Sequence, residues 1–114
     1  MKSFLDKFRW AIRGAVYLFQ DQGVRIQMLG FSLTILVFYC LKLTVLEWTI
    51  IAFVCGFVVF AEMLNTIIER ILDYQQPNFD KEIGKMKDMS AGLVLFACII
   101  ATIVGVLMII HKLS

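Results

Sequence analysis

Residues 48–73 read WTIIAFVCGFVVFAEMLNTIIERILD, and the fold turns on how this stretch is understood. A helix needs about 20 apolar residues to cross a bilayer, and the run is long enough. Yet it carries three acids and an amide, Glu62, Asn65, Glu69 and Asp73. Each helical residue turns by about 100°, so with Glu62 at zero Asn65 falls near −60°, Glu69 near −20° and Asp73 near +20°, a stripe roughly 80° wide. Counted from Trp48 at about 1.5 Å per residue, Glu62 lies roughly 21 Å along the helix, within a hydrocarbon core about 30 Å thick, and Glu69 emerges at its far face. An acid at that depth is costly, faces a bundle interior or a polar cavity, and marks function by default.

Two further apolar segments flank this one. Met28 to Leu46 is interrupted only by Lys42, and Ala91 to Ile110 carries no charge. The whole chain of 114 residues is 61% hydrophobic and 18% charged, with a mean hydropathy of +0.85. Soluble domains hold about 45–50% apolar and about 25% charged residues, and so short a chain cannot hide that excess in its own core. The composition excludes a soluble domain, a disordered chain and a disulfide scaffold. Cys40, Cys55 and Cys98 stand far apart in apolar runs and read as packing residues. The net charge of +2 is too mild for nucleic-acid binding. The expected fold is a single all-α membrane domain over residues 1–114, with transmembrane helices over 28–46, 48–70 and 91–110.

The N-terminal stretch differs. Phe4, Phe8, Ala11, Ile12, Ala15, Val16 and Phe19 recur at helical spacing, with Lys7, Arg9 and Arg13 among them. This predicts an amphipathic helix over 4–22 lying in the membrane interface. Lys2, Lys7, Arg9, Arg13 and Arg25 precede the first span, and Arg70, Lys81, Lys85 and Lys87 lie between the second and third. Nine of the eleven basic residues thus fall on one side, which the positive-inside rule makes cytoplasmic, N-terminus included. Lys42, Glu47 and Lys112 fall on the other side. Trp48 suits the outer interface, and His111 reads as a plain interfacial residue. The stretch from Asp73 to Asp88, punctuated by Pro77 and Gly84, is expected to be a loop or a broken helix on the cytoplasmic side.

Near that cytoplasmic face the sequence gathers Glu62, Asn65, Glu69 and Asp73, together with Lys87 and Asp88 just before the third span and Asp21 at the end of the interfacial helix. Mg²⁺ is held through one or two carboxylates plus substrate phosphates. A lysine neutralises nucleotide phosphates, and a carboxylate below the interface can take a proton from a lipid hydroxyl. These are the parts needed for phosphoryl transfer to a lipid alcohol. Gly14, Gly23 and Gly30 are isolated, and neither a Walker A motif nor a kinase-type glycine-rich loop is present, so a nucleotide site here is unconventional.

The run Glu62-Met63-Leu64-Asn65-Thr66-Ile67-Ile68-Glu69, followed by Asp73, resembles the signature helix of the prokaryotic diacylglycerol kinase and undecaprenol kinase family, E-x-x-N-[ST]-[AI]-I-E-x-x-x-D. Lys87-Asp88-Met89-Ser90-Ala91-Gly92 resembles its second signature, and Trp10-Ala11-Ile12-Arg13-Gly14 its amphipathic opening. Glu47-Trp48 resembles a pair common before the second span in the Gram-positive, undecaprenol-kinase branch. The resemblance covers nearly the whole chain. It implies a homotrimeric lipid kinase of the bacterial inner membrane, dependent on ATP and Mg²⁺, with sites shared between subunits. Its substrate would be undecaprenol, with diacylglycerol, giving phosphatidic acid, as the alternative. Carried over by position, Glu62 would be the general base toward the lipid hydroxyl, and Asn65 would orient it or the phosphate. Glu69 would bind the metal bridging the nucleotide phosphates, with Asp21 as the second carboxylate. Lys87 would contact the ATP phosphates, and Asp88 and Asp73 would support the nucleotide site.

The chain departs from the family pattern in four places. Asp21 stands where Glu is usual, Gly23 where Asn is frequent, Gln27 where His or Glu occurs, and Met86 where a small residue precedes the signature lysine. Two other functions fit part of the pattern. A small proton-coupled transporter subunit would use Glu62 as a relay carboxyl but leaves Lys87 and Asp88 unexplained. A catalytically weak homologue is motivated by Asp21 and Gly23.

Overall fold

A computed structural model describes residues 3–114 as four helices joined by short turns. Lys2, counted above with the cytoplasmic basic residues, lies outside the described residues. The helices are α1 (Phe4–Phe19), α2 (Gln22–Tyr39), α3 (Val45–Gln75) and α4 (Lys81–Leu113). Helix α1 starts at Ser3, whose hydroxyl accepts the Asp6 amide at 3.2 Å. It stops at Phe19 rather than at residue 22, because Asp21 takes an extended conformation and caps α2, accepting the Val24 amide at 3.1 Å. Arg25 Nε donates to the Phe19 carbonyl at 3.0 Å and ties this corner.

Helix α2 ends at Tyr39, short of the expected Leu46. Lys42 adopts a left-handed φ of 55°, which breaks the helix at the one charged position of that apolar run. Thr44 then opens α3 with a reciprocal cap, in which Thr44 N donates to Glu47 Oε1 at 2.8 Å and Glu47 N donates to Thr44 Oγ1 at 3.3 Å. Helix α4 begins earlier than its apolar run does. Asp80 accepts the amides of Glu82 and Ile83 at 2.9 and 3.2 Å, and the helix passes through Gly84 unbroken. The polar stretch from Asp73 to Asp88, expected to be a loop or a broken helix, is non-helical only over 76–80.

Helices α3 and α4 pack antiparallel along their length, α2 lies on α3, and α1 touches the bundle lightly. Both α3 and α4 are long and apolar enough to cross a membrane. The chain is flattened, 52 × 41 × 20 Å, and leaves broad apolar surface uncovered, including Leu29, Leu33, Phe53, Leu95, Phe96 and Leu107. A buried apolar cluster, Phe38, Ile51 and Met108, sits where α3 begins and α4 ends. At that same end Lys112 and His111 meet Glu47 at 2.8 and 3.4 Å. Cys40 is exposed, and Cys55 and Cys98 are half-buried on a groove shared with Gly30 and Thr34.

Candidate active site

The antiparallel pairing brings the last turns of α3 to the first turns of α4, and the start of α2 joins them. Each helix contributes polar groups for a local reason. On α3 they recur every three or four residues. On α4 the Asp80 cap makes the segment before the apolar run helical, which turns Lys87 and Ser90 toward α3. On α2 the N-terminal turn begins at Asp21.

Two sets of contacts hold these ends together. Between α3 and α4, Ser90 Oγ donates to Asn65 Oδ1 at 2.6 Å, both residues being buried, and Lys87 Nζ forms a close ion pair with Asp73 Oδ1. Between α3 and α2, Thr66 Oγ1 donates to Asp21 Oδ2 at 3.0 Å, and Arg70 approaches Asp21 Oδ1 at 3.9 Å. The stripe read from the sequence is therefore divided between two neighbours: Asn65 and Asp73 serve α4, while Glu62 leans toward α2.

Glu62 is half-buried and presses on the α-carbon of Gly23 in the first turn of α2; a β-carbon there would collide with its carboxylate. Asp21, Asn65 and Glu69 are its electrostatic neighbours. Glu69 and Asp88 are exposed, and no hydrogen bond or ion pair engages either among the described residues. The structure thus gathers Asp21, Glu62, Asn65 and Glu69, sets Lys87 beside Asp73, and leaves Asp88 at the rim.

Sequence reasoning assigned no role to Thr66, Arg70, Ser90 or the α-carbon of Gly23. Thr66 and Ser90 lie inside the quoted signatures, and their small polar side chains amid apolar neighbours were the available signal. Gly23 stood out only as an isolated glycine and as a departure from the family pattern. Its significance is steric and needs coordinates.

The residues fit a metal shared with phosphates. Among the described residues no three acidic, cysteine or histidine side chains converge into a self-sufficient cage. Mg²⁺ bound together with a nucleotide needs only one or two carboxylates, and it keeps waters and phosphate oxygens for the rest. Glu69 has both oxygens free of protein donors. In Asp21, Oδ2 carries the helix cap and the Thr66 bond, while among the described residues Oδ1 faces only Arg70, at 3.9 Å.

Two helices long and apolar enough to cross a membrane, with carboxylates, an amide and a lysine at one shared end, define an all-helical chain with a candidate site where those helices meet. The chain belongs to the prokaryotic diacylglycerol kinase family, whose sequence pattern it matches over residues 9–109. It is 33% identical over 105 residues to a diacylglycerol kinase of a Synechocystis species, covering 90% of this chain and 60% of that protein. It is 32% identical over 75 residues to an undecaprenol kinase of Bacillus subtilis, covering 66% of this chain and 61% of that protein. The matches thus span about 60% of the length of these curated relatives.

Proposed function

We propose that the protein transfers the γ-phosphoryl group of ATP to the primary hydroxyl of a membrane lipid. Undecaprenol is the first substrate and diacylglycerol the second reading. The observation that carries the proposal is the half-buried Glu62 carboxylate, set below a rim of Glu69, Asp88 and the Lys87–Asp73 pair. A lipid hydroxyl reaches such a group from the bilayer, while a nucleotide reaches the rim from water. Undecaprenol is favoured by Glu47-Trp48 and by the Bacillus relative's name; diacylglycerol is favoured by the longer match to the Synechocystis relative.

In this reading Glu62 accepts the proton of the attacking hydroxyl, and Asn65 holds that carboxylate or the phosphate in line. Glu69, with Asp21 Oδ1, would hold Mg²⁺, and the ion would supply positive charge against the nucleotide phosphates. Lys87 exchanges Asp73 for phosphate oxygens when ATP arrives, and Asp73 and Asp88 keep it at the rim. Transfer between in-line oxygens is mostly a matter of positioning and electrostatics, which these groups supply.

The same reading includes the membrane setting. Helix α1 lies in the interface: none of its residues is buried, and Phe4, Phe8, Ile12 and Phe19 expose an apolar face. Helix α2 also spans the bilayer, ahead of α3 and α4, its 18 residues reaching about 27 Å. The N-terminus and the site face the cytoplasm of a bacterial inner membrane, as the basic residues predict. The functional unit is a homotrimer, in which a neighbouring copy covers the outward-facing Glu69 and Asp88.

The test is phosphorylation by the purified protein in detergent with Mg²⁺ and ATP, offering undecaprenol and diacylglycerol separately. Transfer to one lipid, lost in Glu62→Gln, is expected. A folded protein that phosphorylates neither lipid would overturn the proposal.

A further inference from the structure

The geometry points to Ser90 as a positioning residue that fixes which end of the Asn65 amide faces Glu62. An asparagine side chain has an acceptor oxygen at one end and two donor hydrogens at the other, and only its hydrogen-bond network decides between the two orientations. Here Ser90 Oγ donates to Asn65 Oδ1 at 2.6 Å, from one buried residue to another. With the oxygen occupied by Ser90, the amide nitrogen is the end left for Glu62, which lies three residues earlier on the same helix, one turn away. An ionised carboxylate can only accept. The reverse orientation would set Asn65 Oδ1 against the Glu62 carboxylate, two acceptors face to face, and would turn the serine hydroxyl from donor to acceptor toward α3. Ser90 therefore selects the orientation that suits a carboxylate about to take up a proton.

Ser90 also ties this amide to the turn that carries the lysine. Its hydroxyl lies 2.9 Å from the Lys87 carbonyl, one turn earlier on α4. The same side chain thus registers the Lys87 turn against Asn65 on α3. A rotation of α4 that moved Lys87 would also release Asn65. The contact is fully internal: no buried side-chain nitrogen or oxygen lacks a partner among the described residues.

The kinetic part of this inference rests on the lipid kinase reading; the hydrogen bond does not. The chain has two asparagines, Asn65 and the exposed Asn78, so ¹⁵N-asparagine labelling of the full chain in detergent gives two side-chain amide pairs with an internal reference. In the wild type the Asn65 amide protons should exchange with water far more slowly than those of Asn78. Equal exchange would overturn the inference without any variant. Ser90→Ala should shift the Asn65 side-chain signals and leave those of Asn78 in place. It should lower kcat by about tenfold or more, a size typical of lost supporting hydrogen bonds, with KM for ATP within about twofold. Ser90→Thr, which keeps the hydroxyl, should recover most of both. Unmoved Asn65 signals in Ser90→Ala, or moved signals with unchanged kcat, would overturn it. A wild type that phosphorylates neither lipid removes the kinase reading instead, and the Asn65 signals then decide the hydrogen bond by themselves.

Discussion

The Glu62 carboxylate occupies the space that a side chain at residue 23 would need, and Gly23 is what lets it lie against the first turn of α2. A β-carbon at 23 would stand 3.2 Å from Glu62 Cδ and 3.2 Å from Asp21 Oδ2, besides meeting Glu62 Oε1 head-on. The atoms that must yield are the far ends of flexible side chains, so the fold can absorb them. Alanine also gains about 1 kcal/mol over glycine in a helix, which offsets the crowding. Gly23→Ala should therefore leave the melting temperature nearly unchanged while lowering kcat by about tenfold to a hundredfold, because a displacement near 1 Å at a reacting group costs that much. Thermal unfolding beside lipid phosphorylation checks it, and unchanged kcat would mean that Glu62 does not act from this position.

Glu62 and Glu69 stand two helical turns apart on α3 in different surroundings, one half-buried and one exposed, and they should fail differently. Glu62→Gln should reduce transfer by about 10²–10⁴-fold, the usual weight of a general base, with nucleotide binding nearly intact. Glu69→Gln should weaken Mg²⁺-dependent nucleotide binding itself. Equilibrium binding of a fluorescent ATP analogue, with and without Mg²⁺, separates the two. If both variants turn over normally, the site lies elsewhere.

Asp21 was legible as a carboxylate near the site, but its structural duty was not. Its Oδ2 takes both the Val24 amide and the Thr66 hydroxyl, at 3.1 and 3.0 Å, so it caps α2 and clamps α2 to α3. Glutamate is one methylene longer and caps poorly. Asp21→Glu, which restores the family's usual residue, should lower stability by about 1 kcal/mol and should not raise turnover. A several-fold gain in phosphorylation would show instead that the shorter side chain compromises the metal site.

What the sequence disclosed depended on periodicity. The apolar runs announced the helices, and the stripe of Glu62, Asn65, Glu69 and Asp73 announced the polar end of α3, because helical spacing is a local property. Helix boundaries were less legible, since a single cap sets them. Lys42 was expected inside a helix and lies in a turn, and the start of α4 was hidden because Asp80 caps a polar segment that continues into an apolar one. Pairings were least legible. Ser90 with Asn65, Thr66 with Asp21 and Glu47 with Lys112 join residues far apart in the chain, and no local pattern encodes which turn of one helix meets which turn of another.

The Lys87–Asp73 pair tests whether the rim serves the fold or the nucleotide. Both side chains are substantially exposed, at 40% and 60%, and exposed ion pairs contribute about 0–1 kcal/mol. If the pair served only to join α3 and α4, Lys87→Met and Asp73→Asn would have equal and small effects, since each breaks the same contact. In the proposed site they differ. Lys87→Met removes the charge that meets the phosphates and should raise KM for ATP by at least about tenfold, the loss of one charge-assisted hydrogen bond of about 1.5–3 kcal/mol. Asp73→Asn leaves the lysine in place, free of its competing carboxylate, and should change KM far less. Raising the salt concentration should weaken ATP binding in the wild type and hardly at all in Lys87→Met. Equal KM values for the two variants would assign Lys87 to the helix pair and take it out of the nucleotide site.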